Sequence, residues 1–213
     1  MKRNRTFAVI SGMLGILLAV GVVFAAFTAP QVQPKLLKVS DEAVELAGAM
    51  MEAACSGDYE EAGNRMLGKP NLGKIPEDAS IAAQMIWDAF IDSLEYDFPD
   101  GCYASDRGLT MDVHIRSLDI SSVTAGVKKR VEKLVNRRVE AAEDISEVYD
   151  EKNNYRDDLV LSVLEEATSL ALKKDARYVE TIIPLQLTYE QGQWWVQPSQ
   201  ELLNVLSGVG SGR

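Results

Sequence analysis

Apolar and polar positions change their spacing several times along the chain, and the first long segment is apolar throughout. The run from Phe7 to Ala29 has no charged side chain. As a helix with a rise of about 1.5 Å per residue it would extend roughly 34 Å, which matches a bilayer core of about 30 Å. Basic residues precede the run and acidic residues do not, so the positive-inside rule keeps residues 1–6 in the cytoplasm. The pattern predicts a transmembrane signal-anchor over 7–29, with the rest of the chain outside.

A cleaved signal peptide has the same polarity and stays an alternative. The apolar core of a signal peptide is usually about 7–15 residues long, which is shorter than this run. Phe27-Thr28-Ala29 is a poor small-x-small cleavage site, and no cysteine adjoins the run, which excludes a bacterial lipid anchor. Residues 30–39, with Pro30 and Pro34, predict an extended linker to a domain at 40–207, followed by a flexible tail at 208–213.

Helical spacing of apolar residues predicts three helices in the first part of the domain. The first runs from about Asp41 to Cys55 and ends at Gly57. Asp58 starts a short second helix, with Glu61 in the capping-box position. Pro76 is predicted at the first position of a third helix. The expected buried side of this third helix consists of Ile81, Met85, Ile86, Ala89, Phe90 and Leu94.

A period of two residues then indicates strands. Apolar and polar residues alternate from Leu109 to Arg116, as in a strand with one buried face. The segment from Tyr178 to Tyr189 is β-branched and aromatic, and Pro184 suggests a sheet edge or a bulge there. A tight turn at 190–193 leads into a partner strand over 194–196, and a short helix over 199–206 ends the domain.

Between these strands the helical period returns twice. Apolar residues from Val123 to Tyr149, and again from Leu159 to Leu172, predict two amphipathic helices separated by Asn153-Asn154. Because strands lie on both sides, we predict a helical hairpin over 123–175 that is inserted into the domain.

The phrase Gly57-Asp58-Tyr59-Glu60-Glu61-Ala62 and the closing hairpin from Leu187 to Val196, together with the N-terminal helices, carry a family resemblance. The chain resembles the nuclear-transport-factor-2-like (cystatin-like) superfamily, in particular its small bacterial cell-surface members of unknown function. The resemblance covers residues 40–122 and 176–207. It implies an α+β fold with a bent antiparallel sheet packed on N-terminal helices in a cone-like shape. The hairpin departs from the minimal fold, and no catalytic residue carries over.

Composition narrows the classes of partner. The net charge is −10, from 22 basic and 32 acidic residues. A domain this acidic repels polyanions, so we expect no nucleic-acid partner. The apolar share of 46% and the charged share of 25% are ordinary for a globular protein, which excludes disordered and fibrous classes. We expect no cofactor.

Cys55 and Cys102 are the two cysteines of the chain. Outside the cytoplasm they could form a disulfide, which would stabilise the fold by about 4 kcal/mol in the chain-entropy model. Two buried thiols stay the alternative. The chain has no CxxC pair and no Cys/His cluster, so we expect no structural zinc site.

The single histidine, His114, shares a strand face with Asp112 and Arg116, because residues two apart point the same way. In a cone-shaped cavity Asp112 and His114 could act as an acid/base pair, but the alternation favours a solvent-exposed face. Asp88, Asp92 and Glu95 form a second polar group, at helical spacing. The segment lacks the glycine-bearing loop of a dedicated calcium motif, so we interpret the group as a solvated helix face and expect no metal.

The charge pattern of the predicted hairpin indicates a surface for a partner. Basic residues load the first half of its first helix: Lys128, Lys129, Arg130, Lys133, Arg137 and Arg138. Acidic residues load the second half: Glu140, Glu143, Asp144, Glu147, Asp150 and Glu151. This order opposes the helix dipole and suggests a surface that meets another molecule, unless the domain itself neutralises it.

Trp194 and Trp195 point to opposite sheet faces, so one anchors the core and Trp195 is a candidate for binding.

These observations favour a non-enzymatic, membrane-anchored interaction domain outside the cytoplasm, a scaffold or accessory subunit of a cell-envelope assembly. An anchor helix followed by such a domain resembles scaffold subunits of conjugative and type IV secretion machines. Two alternatives stay open: a pocket that binds a small apolar ligand, and an isomerase-like enzyme that uses Asp112 and His114. The sequence leaves the partner and the oligomeric state open.

Overall fold

The computed structural model describes residues 41–73, 75–76, 78–98, 103–105 and 108–209. The predicted anchor, the linker and the end of the tail lie outside the described residues. Among the residues that are described, no helix is long and apolar enough to cross a membrane. The described chain is α+β, and it divides into two compact units. One unit holds residues 76–94 and 116–180, and the remaining described residues form the other.

Two helices open the first unit, as predicted. Helix α1 spans Asp41–Cys55 and helix α2 spans Tyr59–Asn64. Gly57 lies between them with φ 78°, in the left-handed region that ends a helix without steric cost to glycine. Asp58 caps α2, since its side chain accepts a hydrogen bond of 3.0 Å from the Glu61 backbone N–H.

Five strands form one sheet. They are β1 (Glu95–Asp97), β2 (Tyr103–Ser105), β3 (Gly108–Leu118), β4 (Tyr178–Glu190) and β5 (Gln193–Gln197). The order is β1-β3-β4-β5, and β2 also pairs with β3. The pairs β2–β3 and β4–β5 are antiparallel. The alternation predicted for β3 is confirmed, because Leu109, Met111, Val113 and Ile115 are at most 1% exposed.

The hairpin of β4 and β5 has a two-residue turn. Gln191 has φ 55° and Gly192 has φ 87°, and Glu190 pairs with Gln193 across the turn. Positive φ at both central residues gives the turn a twist that matches that of the strands. The β4–β5 ladder begins at Gln186, so Pro184 has no partner in β5 and its missing N–H costs no hydrogen bond on that side of the strand.

The core of the first unit includes α1, which packs on α2 and β5, and the buried leucines of the last helix, α6 (Gln200–Leu206). Helix α1 buries one stripe of small and flexible residues: Ala43, Ala47, Met50, Met51 and Ala54. Ser199 caps α6 by accepting from the Leu202 backbone N–H at 3.1 Å. Tyr59 is buried, and its hydroxyl donates to the Leu206 carbonyl at 2.8 Å. This bond from α2 satisfies a backbone carbonyl at the C-terminal end of α6.

The second unit consists of three helices, α3 (Ile81–Asp92), α4 (Ile120–Ala141) and α5 (Asp157–Lys174). Helices α4 and α5 pack along each other, and α3 packs on both. The predicted hairpin of α4 and α5 is confirmed. Its seam is apolar: Val123, Val127, Val131 and Leu134 from α4, with Val163, Leu164, Ala167 and Ala171 from α5.

The prediction that Pro76 opens the third helix is wrong. Helix α3 begins at Ile81, and Ser80 caps it by accepting from the Ala83 backbone N–H at 3.3 Å. With Pro76 at the first helical position the cap would be Ile75, whose side chain has no acceptor, whereas Ser80 satisfies a backbone donor at the later start. The buried side predicted for this helix is partly wrong, because Ile81 is 59% exposed while Ile86, Phe90 and Leu94 are buried.

The predicted helix from Val123 to Tyr149 is also corrected. Helix α4 begins earlier, at Ile120, because Asp119 caps it by accepting from the Ser121 backbone N–H at 3.0 Å. It ends at Ala141. A single turn of 3-10 helix at Ile145–Glu147, capped by Asp144, replaces the predicted C-terminal turns. Side-chain caps that bond to the backbone outcompete the apolar period at both ends.

Two glycines provide a test with opposite signs. Gly48 lies inside α1, and a Cβ there meets no described atom within 4 Å, so Gly48→Ala should stabilise the fold by about 0.5–1 kcal/mol. Gly192→Ala should destabilise it by about 1 kcal/mol, because the turn holds residue 192 at φ 87°. Chemical denaturation of both variants checks this, and two shifts of the same sign would contradict the assigned backbone conformations.

A buried hydroxyl in α5 provides a second test. Thr168 is 1% exposed, and no described group pairs with its Oγ1 atom. Thr168→Val keeps the shape and removes the desolvated hydroxyl, so it should raise the unfolding free energy by about 1 kcal/mol. Thr124→Val, at a half-buried position of α4, is the matched control and should change it less. A loss of stability in the Thr168 variant would mean that this hydroxyl has a partner.

Candidate interaction surface

The two hairpin helices are joined at their proximal end by a charged contact. Arg130 of α4 donates from its Nη1 atom to the Asp175 carboxylate and, at 3.0 Å, to the Gly126 carbonyl. Asp175 directly follows α5 and fills the place that a side chain at 126 would take, since a Cβ there would lie 2.5 Å from Asp175 Oδ2. The Arg130 guanidinium lowers the pKa of the Asp175 carboxyl below its usual range.

Further bonds close the same end of the hairpin. The Asp119 backbone N–H donates to the Arg177 carbonyl at 2.8 Å, and the Arg177 N–H donates to Ser122 Oγ at 3.2 Å. Higher on the hairpin, Arg138 and Glu166 form an exposed ion pair of 2.9 Å between the helices. The hairpin is therefore held by an apolar seam and by polar contacts along its length.

These contacts divide the six predicted basic residues into two groups. Arg130 and Arg138 bond within the hairpin, so part of the charge is neutralised internally, which was the alternative considered for this pattern. The other four are exposed on α4: Lys128, Lys129, Lys133 and Arg137. We name these four residues the basic face. Three of them line a depression on α4 together with Glu132, Asn136 and Glu140, a lining that does not suit an apolar ligand.

The loop between the hairpin helices is acidic and ordered by its own hydrogen bonds. Asp144 accepts from the Ser146 N–H at 2.8 Å, and Asp150 accepts from the Lys152 and Asn154 N–H groups at 2.9 and 2.8 Å. These backbone donors lower the pKa of both aspartates. The rings of Tyr149 and Tyr155 stack with their centroids 5.0 Å apart. We name residues 142–158 the acidic tip.

The acidic tip exposes charged and apolar groups together. Glu143, Glu147 and Glu151 are exposed, and Ile145 is 73% exposed. Asp144 and Asp150 serve the loop through their backbone hydrogen bonds, whereas these three glutamates present their carboxylates to solvent. Ile145 is a single exposed apolar side chain, which is common at protein surfaces, so the charged groups dominate the character of the tip.

The predicted conflict with the helix dipole is wrong for the basic residues. Because α4 begins at Ile120, the basic face lies in its middle and later turns, and Arg138 is in the final turn, where the dipole favours positive charge. The acidic residues still oppose the dipole, because Glu140 is in the last turn and Glu143 and Asp144 directly follow the helix.

The polar face of β3 forms a different contact from the predicted acid/base pair. His114 Nδ1 lies 3.5 Å from Asp97 Oδ1 of β1, and the Asp97 side chain is largely exposed. Asp112 and His114 are half-buried and lie two residues apart on the strand, as predicted. Arg116 stacks on the Tyr178 ring with its guanidinium carbon 4.4 Å from the centroid, a cation–π contact. This contact gives Arg116 a structural role.

The two tryptophans point to opposite faces, as predicted. Trp194 is 8% exposed and meets the Tyr189 ring edge-on, with the centroids 5.3 Å apart. Trp195 is half-buried and lies opposite Thr188 of β4. Its partial exposure leaves its predicted binding role a prediction.

Cys55 is half-buried, and burial raises the pKa of its thiol to about 11. Cys102 lies outside the described residues, so the predicted disulfide stays a prediction. In the described part of the chain, no group of His, Cys, Asp or Glu side chains could hold a metal ion. Asp88 and Asp92 are exposed on α3, but the prediction of one solvated helix face is wrong for Glu95, which is exposed on β1 because the helix ends at Asp92.

Comparisons of the chain with family models, curated proteins and solved structures found no match.

The contact between Arg130 and Asp175 makes stability depend on pH. The folded state lowers the pKa of Asp175, so the contact stabilises the fold above the ordinary aspartate pKa of about 3.9 and is lost as the pH falls through the lower folded value. Asp175→Asn should therefore destabilise the chain at pH 7 and have little effect in strong acid. Denaturation curves over a pH series measure this difference. In an Arg130→Met background the same change should lose most of its pH dependence, and an unchanged profile would contradict the pairing.

Proposed function

We propose that this chain is a membrane-anchored interaction domain outside the cytoplasm, acting as a scaffold or accessory subunit of a cell-envelope assembly. The proposal includes the cone-like arrangement of the nuclear-transport-factor-2-like superfamily. The N-terminal helices and the antiparallel closing hairpin of β4 and β5 support that arrangement. The helical pair of α4 and α5 is the feature that distinguishes this chain from the minimal fold.

One observation carries the proposal. The hairpin of α4 and α5 is held by an apolar seam and by two ion pairs, yet it leaves the basic face and the acidic tip exposed. Charges fixed on a rigid helical element select partners by complementarity and speed their association. A surface of this kind suits a protein that binds other proteins.

The N-terminal sequence supports the membrane location. The charge-free run from Phe7 to Ala29 is long enough to span a bilayer, and the basic residues before it keep its start in the cytoplasm. A domain held at the membrane surface meets its partners within two dimensions, which raises its effective concentration. Weak individual contacts are then sufficient for assembly.

The two alternatives keep their status as predictions. An apolar-ligand pocket needs an apolar lining, whereas the depression on α4 is lined by charged and amide side chains. The isomerase hypothesis needs a base within reach of a bound substrate, and His114 lies at a half-buried position beside the exposed Asp97. No feature of the described residues favours either alternative over the interaction domain.

Crosslinking in intact membranes tests the proposal. Full-length protein should stay in the membrane fraction after an alkaline wash and should yield a specific crosslinked envelope protein upon affinity recovery. Lys129→Glu combined with Lys133→Glu should remove that product, because the change reverses the charge of the basic face. Lys173→Glu combined with Lys174→Glu makes the same charge change at the end of α5 and should retain it.

Two results would contradict the proposal. Release of the chain by the alkaline wash would contradict the membrane anchor. Recovery of background proteins alone would contradict the scaffold role. Equal loss in both charge-reversed variants would point to net charge instead of the basic face.

A further inference from the structure

Charge is separated along the hairpin of α4 and α5. The basic face occupies the middle and last turns of α4, and the acidic tip follows it directly. Residues 142–158 include seven acidic and two basic side chains. The tip of this rod-like hairpin is therefore negative, and the adjoining surface of α4 is positive.

Such a rod is complementary to a second copy of itself in the opposite direction. Antiparallel placement brings the acidic tip of each copy to the basic face of the other, so one two-fold axis forms the favourable contact twice. Parallel placement sets like charges side by side, which is repulsive. The charge pattern thus specifies direction as well as attraction.

The residues on the exposed side of α4 agree with this arrangement. Lys129, Lys133, Asn136, Arg137 and Glu140 share one side of the helix, at spacings of three and four residues. With the two-fold axis between Asn136 and Arg137, Lys133 of one copy lies opposite Glu140 of the second copy, and Lys129 lies opposite the acidic tip. Asn136 and Arg137 then meet at the centre.

We propose that the hairpin binds a second copy of this chain, antiparallel, through the basic face and the acidic tip. The inference rests on the proposed function and names a partner for the same surface. The exposed Ile145 adds an apolar contact at each end of the interface. Since most contacts are exposed charge pairs, the dimer is salt-sensitive and depends on the local concentration that a membrane provides.

Matched charge reversals on the full chain test the proposal. The tip variant carries Glu143→Lys, Glu147→Lys and Glu151→Lys, which leaves the loop aspartates intact. The face variant carries Lys129→Glu, Lys133→Glu and Arg137→Glu, which leaves the ion pairs of Arg130 and Arg138 intact. Association in a mild non-ionic detergent is measured by analytical ultracentrifugation, first at low salt, where the Debye length is about 30 Å, and then at physiological salt, where it is about 8 Å.

We expect dimers of the unaltered chain at low salt, monomers of each variant alone, and dimers again when the two variants are mixed. The mixture restores both contacts because each reversed surface meets an oppositely charged one. It also shows that both variants are folded. The dimer fraction should fall as salt is raised.

Three results would overturn the inference. They are a monomeric wild-type chain at low salt, variants that dimerise alone, and a mixture that stays monomeric. The membrane crosslinking separates this failure from that of the proposed function. An envelope partner without self-association leaves the scaffold intact, whereas salt-sensitive dimers without any such partner would leave only self-association.

Discussion

Arg130 and Asp175 meet where the ends of α4 and α5 come together, and both surfaces of interest depend on that contact. The Asp175 carboxylate can approach α4 because Gly126 has no side chain in its path. Arg130 bonds to that carboxylate and to the carbonyl of its own helix. The two helices are thereby fixed at one end, and the apolar seam continues from there toward the tip. This closure and the apolar seam hold α5 against α4, the helix that carries the basic face and leads into the acidic tip.

The hairpin uses similar charged residues for two different purposes. Arg130, Arg138, Asp144 and Asp150 bond to groups within the hairpin and determine its shape. Other charged residues of α4 and its loop are exposed to solvent and determine its electrostatic field. Because the first group leaves the hairpin ordered, the second group is presented on a fixed surface. Fixed charges discriminate between partners better than flexible ones, since less conformational entropy is lost on binding.

The first unit relies on local backbone signals and on burial. Asp58 and Ser199 cap their helices, and Gly57 and Gly192 adopt positive φ at the predicted positions. Capping residues, left-handed glycines and a strict two-residue period act over a few neighbours, so they can be read from the chain directly. The same holds for the opposite orientation of the adjacent tryptophans. These elements were correctly predicted, and their pairing into one sheet agrees with the expected α+β class.

The sequence by itself determined the α+β class, the helices and the strands β3, β4 and β5, whereas the short strands β1 and β2 were not predicted. Tertiary structure alone decided where α4 ends, which arginines are used internally, and that His114 lies beside Asp97. The physical reason is the range of the interactions. Caps, turns and periodicity depend on neighbours in the chain, whereas an ion pair between residues 45 positions apart depends on how the helices pack. Which charged residues are exposed for binding is therefore known only when the tertiary structure shows which of them are paired within the fold.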